Sequence, residues 1–361
     1  MTTGVLLMTY GAPSGDADVA AYLARVRGRE PSSELVAEMR RRYRIIGGSP
    51  LVAITQAQAA ALERELGGSF RARAAMRFSE PGIGAQLGAL IADGARRVVA
   101  VPMSPQWSPV LMAGYERAMT EECPVPFALA RSWYREPAFI GAIASAVRES
   151  LARLAGAAAA VVLTAHSVPR RVFDAEPGYV ADLRESARLI AEASGLGQWT
   201  FAYQSAGHTA EEWLRPDLVD VFPSLAAEGA TDVLVVPVQF LADHLEVLYD
   251  LDVAAAAQAR AAGLRYHRIA MPNTRAEFIR ALAGIVRALD GAASADEMPG
   301  RGPDAKRGEQ RGEDGPIERH EERGERRQGE DQDRPPIVLA GDPARRDQHR
   351  HPERFRLTDE S

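Results

Sequence analysis

Short apolar runs punctuate the first 290 residues: VLLMTY, FRARAAMRF, RVVAVP, FALARSW, AVVLTAH, TFAYQS, DVLVVPV and YHRIAMP. They are rich in β-branched residues, and the clearest of them are continuously apolar, as strands buried on both faces must be. Between most of them lie longer Ala- and Leu-rich segments such as ITQAQAAALERELGG and PAFIGAIASAVRESLARLAG, which predict helices. Apolar strands alternating with helices predict an α/β protein whose parallel sheets are covered on both faces.

The pattern repeats along the chain. Gly94–Pro102, GARRVVAVP, aligns with Gly229–Pro237, GATDVLVVP. Val5–Pro13, VLLMTYGAP, aligns in the same order with Val161–Pro169, VVLTAHSVP. Two ordered matches favour duplication over the general likeness of buried strands. Two halves with a four-stranded sheet each are therefore expected, residues 1–135 and 136–290, facing one another across a cleft. The second alignment sets Tyr10 opposite His166. Each lies just past the carboxyl end of an apolar strand, where parallel α/β sheets bind ligands.

Composition narrows the picture. The chain has 361 residues, 46% hydrophobic, enough for a large core. Beyond residue 290 the sequence turns to Gly, Pro and both signs of charge, with no aromatic residue before Phe355. Such a segment cannot bury enough apolar surface to offset its ordering entropy, so 291–361 is expected to be a disordered tail. The formal net charge of −6 supplies no positive field, so nucleic acid is not an expected partner. The single Cys123 excludes an intramolecular disulfide and any cluster held by four cysteines. The N-terminal MTTGVLLMTYGAP has no basic leader, and its apolar run is too short to span a bilayer. A cytoplasmic monomer with no transmembrane segment is the expectation.

Against that background the stretch FLADHLEVLYD, residues 240–250, needs explaining. As an α-helix it places Asp243, Glu246 and Asp250 on one face at i, i+3 and i+7, with apolar residues around them. No Lys or Arg occurs within 240–259 to pair with these acids. Carboxylates kept together among apolar neighbours point to cation ligands, against the plainer reading of a solvated helix face. Glu246 is the favoured ligand and Asp250 a secondary one, while Asp243 and His244 suit structural roles. His166, in TAHSVP, adds an imidazole that can ligate a divalent ion or take a proton near neutral pH. Its plainer reading is a histidine bonded to a loop carbonyl.

Residues 24–51, ARVRGREPSSELVAEMRRRYRIIGGSPL, are basic within an acidic chain. Arginine forks suit several carboxylates or phosphates, although a solvated helix is the plainer account. The adjoining Gly47-Gly48-Ser49-Pro50 turn adds backbone N–H groups and a hydroxyl. PMSPQWSPVLMAGY (102–115) carries Trp107, Met112 and Tyr115 after a strand and suits the wall of a large flat apolar ligand. QSAGHTAEEWLRP (204–216) brings Gln204, Ser205, His208 and Trp213 toward the same rim.

In order, VLLMTYGAP, RYRIIGGSPL, TAHSVP, QSAGHTAEEWLRP, PVQFLADHLEVLYD and AMPNTRAEFI resemble the signature segments of the ferrochelatase family over residues 4–290. TAHSVP together with FLADHLEVLYD is the specific pair. The resemblance implies two Rossmann-like, chelatase-type domains that insert Fe²⁺ into a porphyrin held between them. It implies no cofactor beyond the substrate metal. Tyr10 in the first motif and QSAGHTAEEWLRPD are most like the coproporphyrin III branch, which implies coproporphyrin III as substrate. Protoporphyrin IX, or haem carriage without catalysis, is the alternative. By the same resemblance His166 and Glu246 are the catalytic, metal-binding pair on one porphyrin face, and Tyr10 is the axial ligand on the other. Arg27, Arg42, Tyr43, Ser49 and Tyr115 match positions that contact the porphyrin and its carboxylates. VRGRE is one residue shorter than the family's usual run, so Arg27 competes with Arg29 for its role. Ala254 stands where the family's carboxylate ladder often continues. The iron–sulfur cluster of some relatives cannot form with one cysteine.

Overall fold

The computed structural model describes residues 2–207 and 211–296. His208 and the tail from residue 297 onward lie outside the described residues. Among those described are eight strands: β1 (Thr2–Thr9), β2 (Phe70–Met76), β3 (Ala95–Pro102), β4 (Phe127–Leu129), β5 (Ala159–His166), β6 (Thr200–Gln204), β7 (Asp232–Pro237) and β8 (Arg265–Arg268). They form two four-stranded parallel sheets with the orders β2-β1-β3-β4 and β6-β5-β7-β8. In each, the first strand of the half pairs with the second and third. The interior strands are buried on both faces, with Val5, Leu6, Leu7, Val233, Leu234 and Val235 all at 0% exposure. Each such side chain contributes about 1.5–3 kcal/mol of hydrophobic stabilisation, which is why these runs are apolar without alternation.

The repeat seen in the sequence is also a repeat of register. Met8 pairs with Pro102 across β1 and β3, and the aligned residues Thr164 and Pro237 pair across β5 and β7. The edge strands are shorter than expected. FALARSW pairs only as Phe127–Leu129 and YHRIAMP only as Arg265–Arg268. An edge strand has one neighbour, and short edges are the usual defence against stray pairing. Beyond these strands the backbone bonds loops instead: Trp133 N donates to Pro105 O (2.9 Å), and Asn273 N to Leu241 O (3.0 Å).

The helices are α1 (Val19–Arg27), α2 (Ser33–Ile45), α3 (Leu51–Leu66), α4 (Ile83–Ala92), α5 (Pro109–Glu122), α6 (Pro137–Arg153), α7 (Arg170–Ala175), α8 (Pro177–Ser194) and α9 (Leu218–Ala227). A π-helix (Glu246–Ala255), α10 (Ala256–Ala261) and α11 (Ala276–Asp296) follow. Regular structure therefore continues past residue 290. Helix α11 packs on α6 and returns to the first sheet, against α3, β3 and β4. There Asp290 accepts a bond from Thr3 (3.0 Å) and pairs with Arg97 (3.3 Å).

The largest apolar cluster spans both halves, with Phe139 of α6 ring-packed on Trp133 (5.1 Å) and Phe278 (6.5 Å). A small separate cluster of Val19, Leu23, Met39, Tyr43, Leu245 and Tyr249 seats α1 and α2 on the π-helix. Among the described residues no helix is long and apolar enough to cross a membrane.

Candidate functional site

Because both sheets are parallel, their carboxyl ends gather loops from both halves around one cavity. It encloses about 1280 Å³ of space when the open solvent at its mouth is counted. Thr9, Tyr10, Met103 and Ser104 follow β1 and β3 into its wall; Gln239 and Phe240 follow β7. Five tyrosines also line it: Tyr10, Tyr22, Tyr43, Tyr115 and Tyr179. Burial raises the pKa of each, so all five remain neutral phenols.

His166 closes β5 with its side chain 2% exposed. Its Nδ1 lies 2.5 Å from Ser167 O. A carbonyl only accepts, so Nδ1 carries the proton and Nε2 is the acceptor nitrogen of the neutral ring. The plainer expectation, a histidine bonded to a loop carbonyl, is thus correct for one nitrogen, and that bond aims the other. Nε2 lies 3.9 Å from Glu246 Oε1. A divalent ion at about 2.1 Å from each donor spans that gap with a bent geometry.

Glu246 opens the π-helix. Its second oxygen is 3.4 Å from His244 Nε2. His244 in turn bonds Ala242 O through Nδ1 (3.1 Å) and packs edge-on against Phe240 (4.5 Å). Burial works against ionisation of Glu246, but the charge that His166 carries when protonated and the His244 bond outweigh it, so its pKa is lowered.

The three acids of FLADHLEVLYD sort by their partners. Asp243 precedes the helix and is held by Asn273 Nδ2 (2.7 Å) and Arg268 (3.4 Å). Asp250, within the π-helix, pairs with Arg42 (3.4 Å). Burial, aided by the Glu246 charge, nevertheless raises the pKa of Asp250 to about 6. The expectation that the stripe has no basic partner is therefore corrected: arginines reach it from α2 and β8. Of the three, only Glu246 lines the cavity, and it lies within 4 Å of both His166 and His244.

On the first half, Tyr10 donates a long bond to Leu111 O (3.4 Å) and packs on Phe78 (5.2 Å) and Tyr115 (6.1 Å). The guanidinium of Arg77 lies against these rings, 4.7 Å from Phe78, 5.7 Å from Tyr115 and 5.9 Å from Tyr10. It fits there because residue 114 is glycine; a Cβ at that position would fall 2.0 Å from Arg77 Cζ.

A ferrochelatase family model matches residues 2–289. The chain belongs to the ferrochelatase family. It is 37% identical over 299 residues to the coproporphyrin III ferrochelatase of Geobacillus sp. (strain WCH70), covering 78% of this chain and 96% of that protein. It is 35% identical over 298 residues to the coproporphyrin III ferrochelatase of Bacillus subtilis (strain 168), covering 78% and 96%. The ferrochelatase of Thermus thermophilus is 37% identical over 311 residues, covering 79% and 98%. In fold the chain is similar to SirB from Bacillus subtilis with Fe³⁺, at a TM-score of 0.51 and 13% identity, covering 82% of this chain and 98% of that one. That likeness bears on the fold alone.

Of the residues expected at a site, the cavity gathers some and leaves others aside. Tyr10, Tyr43, Ser49, Met112, Tyr115 and Glu246 line it. Ser49 follows Gly47 and Gly48, whose φ of +73° and +94° would strain any residue bearing a Cβ. Arg42 does not line it. Its buried guanidinium bonds Glu38 (2.8 Å) and Asp250 and lies 4.9 Å from the Tyr249 ring. Arg27, in the last turn of α1, has its Nε buried with no partner among the described residues. Burial and the nearby Arg29 lower its pKa. Trp213 stands beside His166 (6.4 Å between ring centroids), and Trp107 packs against the main core; neither is a wall of the cavity. Gln204 accepts from Thr164 (2.6 Å), and Ser205 adopts a left-handed φ of +57°.

Sequence reasoning missed Tyr22, Gln58, Tyr179 and Gln239, and assigned His244 to structure alone. Gln239 accepts from His166 N (3.1 Å) and donates to Tyr179 OH (2.7 Å), tying two site residues together. It directly follows Val238 at the carboxyl end of β7, so the rule that flagged Tyr10 and His166 could have found it. Tyr22, Gln58 and Tyr179 sit on helices among ordinary apolar positions and gave no such signal.

Proposed function

We propose that this chain inserts Fe²⁺ into coproporphyrin III, forming Fe-coproporphyrin III in haem biosynthesis. The observation that carries the reading is the pairing of His166 Nε2 with Glu246 at 3.9 Å, beside a cavity whose other half contributes Tyr10. Supporting the choice of porphyrin are the relatives named coproporphyrin III ferrochelatase at 35–37% identity.

The chemistry follows from the donors. A free porphyrin keeps two inner N–H protons, and Fe²⁺ must exchange water for four nitrogens. His166 Nε2 supplies an acceptor for a leaving proton, held in the right tautomer by Ser167 O. An imidazole and a carboxylate can hold Fe²⁺ transiently without the grip of thiolates. Tyr10, from the other half, suits the axial position of the product. Arg27 and Arg29 form no ion pair among the described residues, so their forks suit the substrate's carboxylates. No cofactor beyond the substrate metal is needed.

Anaerobic insertion of Fe²⁺ into coproporphyrin III and protoporphyrin IX, side by side, tests the proposal. Coproporphyrin III is expected to show a kcat/KM at least about tenfold higher, the discrimination expected when buried polar groups are left without their partners. Equal or reversed rates would refute the assigned substrate. Binding of Fe-porphyrin with no insertion into either ring would mean a carrier. Tyr10→Phe is expected to change the visible absorption spectrum of the bound product, because the phenol oxygen is lost as a ligand. An unchanged spectrum removes Tyr10 from the axial role.

A further inference from the structure

The loop from Val238 to His244 carries His244 and leads into Glu246, yet it belongs to no helix or strand. Its geometry must be fixed from outside. Besides Arg268 on Asp243 and Tyr179 on Gln239, two residues do this, and neither is an acid, a base or a metal ligand.

Gln58 lies on α3 of the first half, fully buried and part of the cavity wall. Its amide nitrogen donates across to the second half, to Leu241 O (3.2 Å) and to Asn273 O (2.9 Å). Both partners are carbonyls, so the orientation of the amide is determined. Its Oε1 is buried with no partner among the described residues. A buried amide with one end unsatisfied is a poor choice for filling space, so its donor end must matter.

Asn273, from AMPNTRAEFI, adopts a left-handed φ of +43° and holds the same loop at three points. Its N–H donates to Leu241 O (3.0 Å), its Oδ1 accepts from Asp243 N (2.9 Å), and its Nδ2 donates to Asp243 Oδ2 (2.7 Å). Leu241 O thus accepts from both residues, which fills its two lone pairs. We propose that Gln58 and Asn273 are positioning residues: they clamp the loop carrying His244 and Glu246 against the first half, and so set where the metal pair stands over the cavity. This rests on the function proposed above and extends it to two residues that supply no ligand atom to the metal.

Gln58→Leu keeps the side chain's bulk and removes both donated bonds; Asn273→Gly keeps the left-handed backbone and removes the side chain. Each is expected to lower kcat/KM for Fe²⁺ about tenfold, as loss of a group that orients a metal ligand does. In Asn273→Gly, at a residue outside the cavity wall, the Kd of free-base coproporphyrin III, read by fluorescence quenching, should change by less than about twofold. The double variant should fall no further than the worse single one, since both hold one carbonyl. A lower Tm with unchanged Fe²⁺ kinetics would reduce the pair to ordinary structure, and a parallel loss of porphyrin affinity would make Gln58 a ligand contact instead. Hydrogen exchange separates this proposal from the functional reading. Peptides covering 238–247 should exchange faster in Gln58→Leu, while those of β5 and β7 stay protected. Unchanged exchange would overturn the clamp; faster exchange in a protein whose wild type metallates nothing would keep the clamp and sink the assigned reaction. Should Gln58→Leu fail to fold, Asn273→Gly carries the same readouts.

Discussion

His166→Ala is expected to abolish metal insertion, lowering kcat on the order of 10³-fold, within the range that a positioned general base contributes. The residue combines two jobs that no neighbour can take over. Its Nε2 faces Glu246, and its Nδ1 is committed to Ser167 O. On the proposed function, alanine removes the proton acceptor and one of the two metal donors at once. His244 cannot substitute, because it reaches the other oxygen of Glu246 and is itself held by Ala242 O and Phe240. The fold should survive. The ladder bonds that pair β5 with β6 and β7 are main-chain, the Thr164–Gln204 side-chain bond does not involve the imidazole, and the imidazole bond to Ser167 is local. An anaerobic Fe²⁺ assay, with far-ultraviolet circular dichroism as the folding control, checks both halves of the expectation. Near-normal turnover in the folded variant would end the assignment.

Glu246→Gln carries the second largest expected effect, a loss on the order of 10²-fold in kcat/KM for Fe²⁺. The amide keeps the size of the side chain and can still bond His244. What it loses is charge, and charge is what draws a dication out of water into a largely buried site. Affinity for the free-base porphyrin should be unchanged, because the flat ring gains nothing from the carboxylate. Asp250→Asn is the internal comparison. Asp250 is tied to Arg42 and burial already raises its pKa to about 6, so its charge is partly spent before any metal arrives. If the two substitutions cost the same, the sorting of the acids by their partners is wrong.

Much of this could be read along the chain. The apolar runs gave the strands, and the order of the two repeats gave the duplication, whereas the pairing of Thr164 with Pro237 came from the structure. Placing Tyr10 and His166 at strand ends followed from the handedness and parallelism of such sheets. The stripe in FLADHLEVLYD was visible as a charge pattern, but its meaning was not. Which acid was free for chemistry depended on Arg42 and Arg268, which lie outside any local window. Arg42 shows the same limit from the other side. An arginine in a basic segment looks available to a substrate, and here it is buried between two acids.

The sequence by itself determined the fold class, the duplicated halves and the rim on which the chemistry stands, because periodicity and strand burial are local properties. Tertiary structure alone decided which charges cancel, which imidazole nitrogen faces Glu246, and how Gln58 and Asn273 hold a loop that has no regular structure. Those outcomes depend on distances of a few ångströms between residues far apart in the chain. Coulomb energy, desolvation and hydrogen bonding all change steeply over such distances.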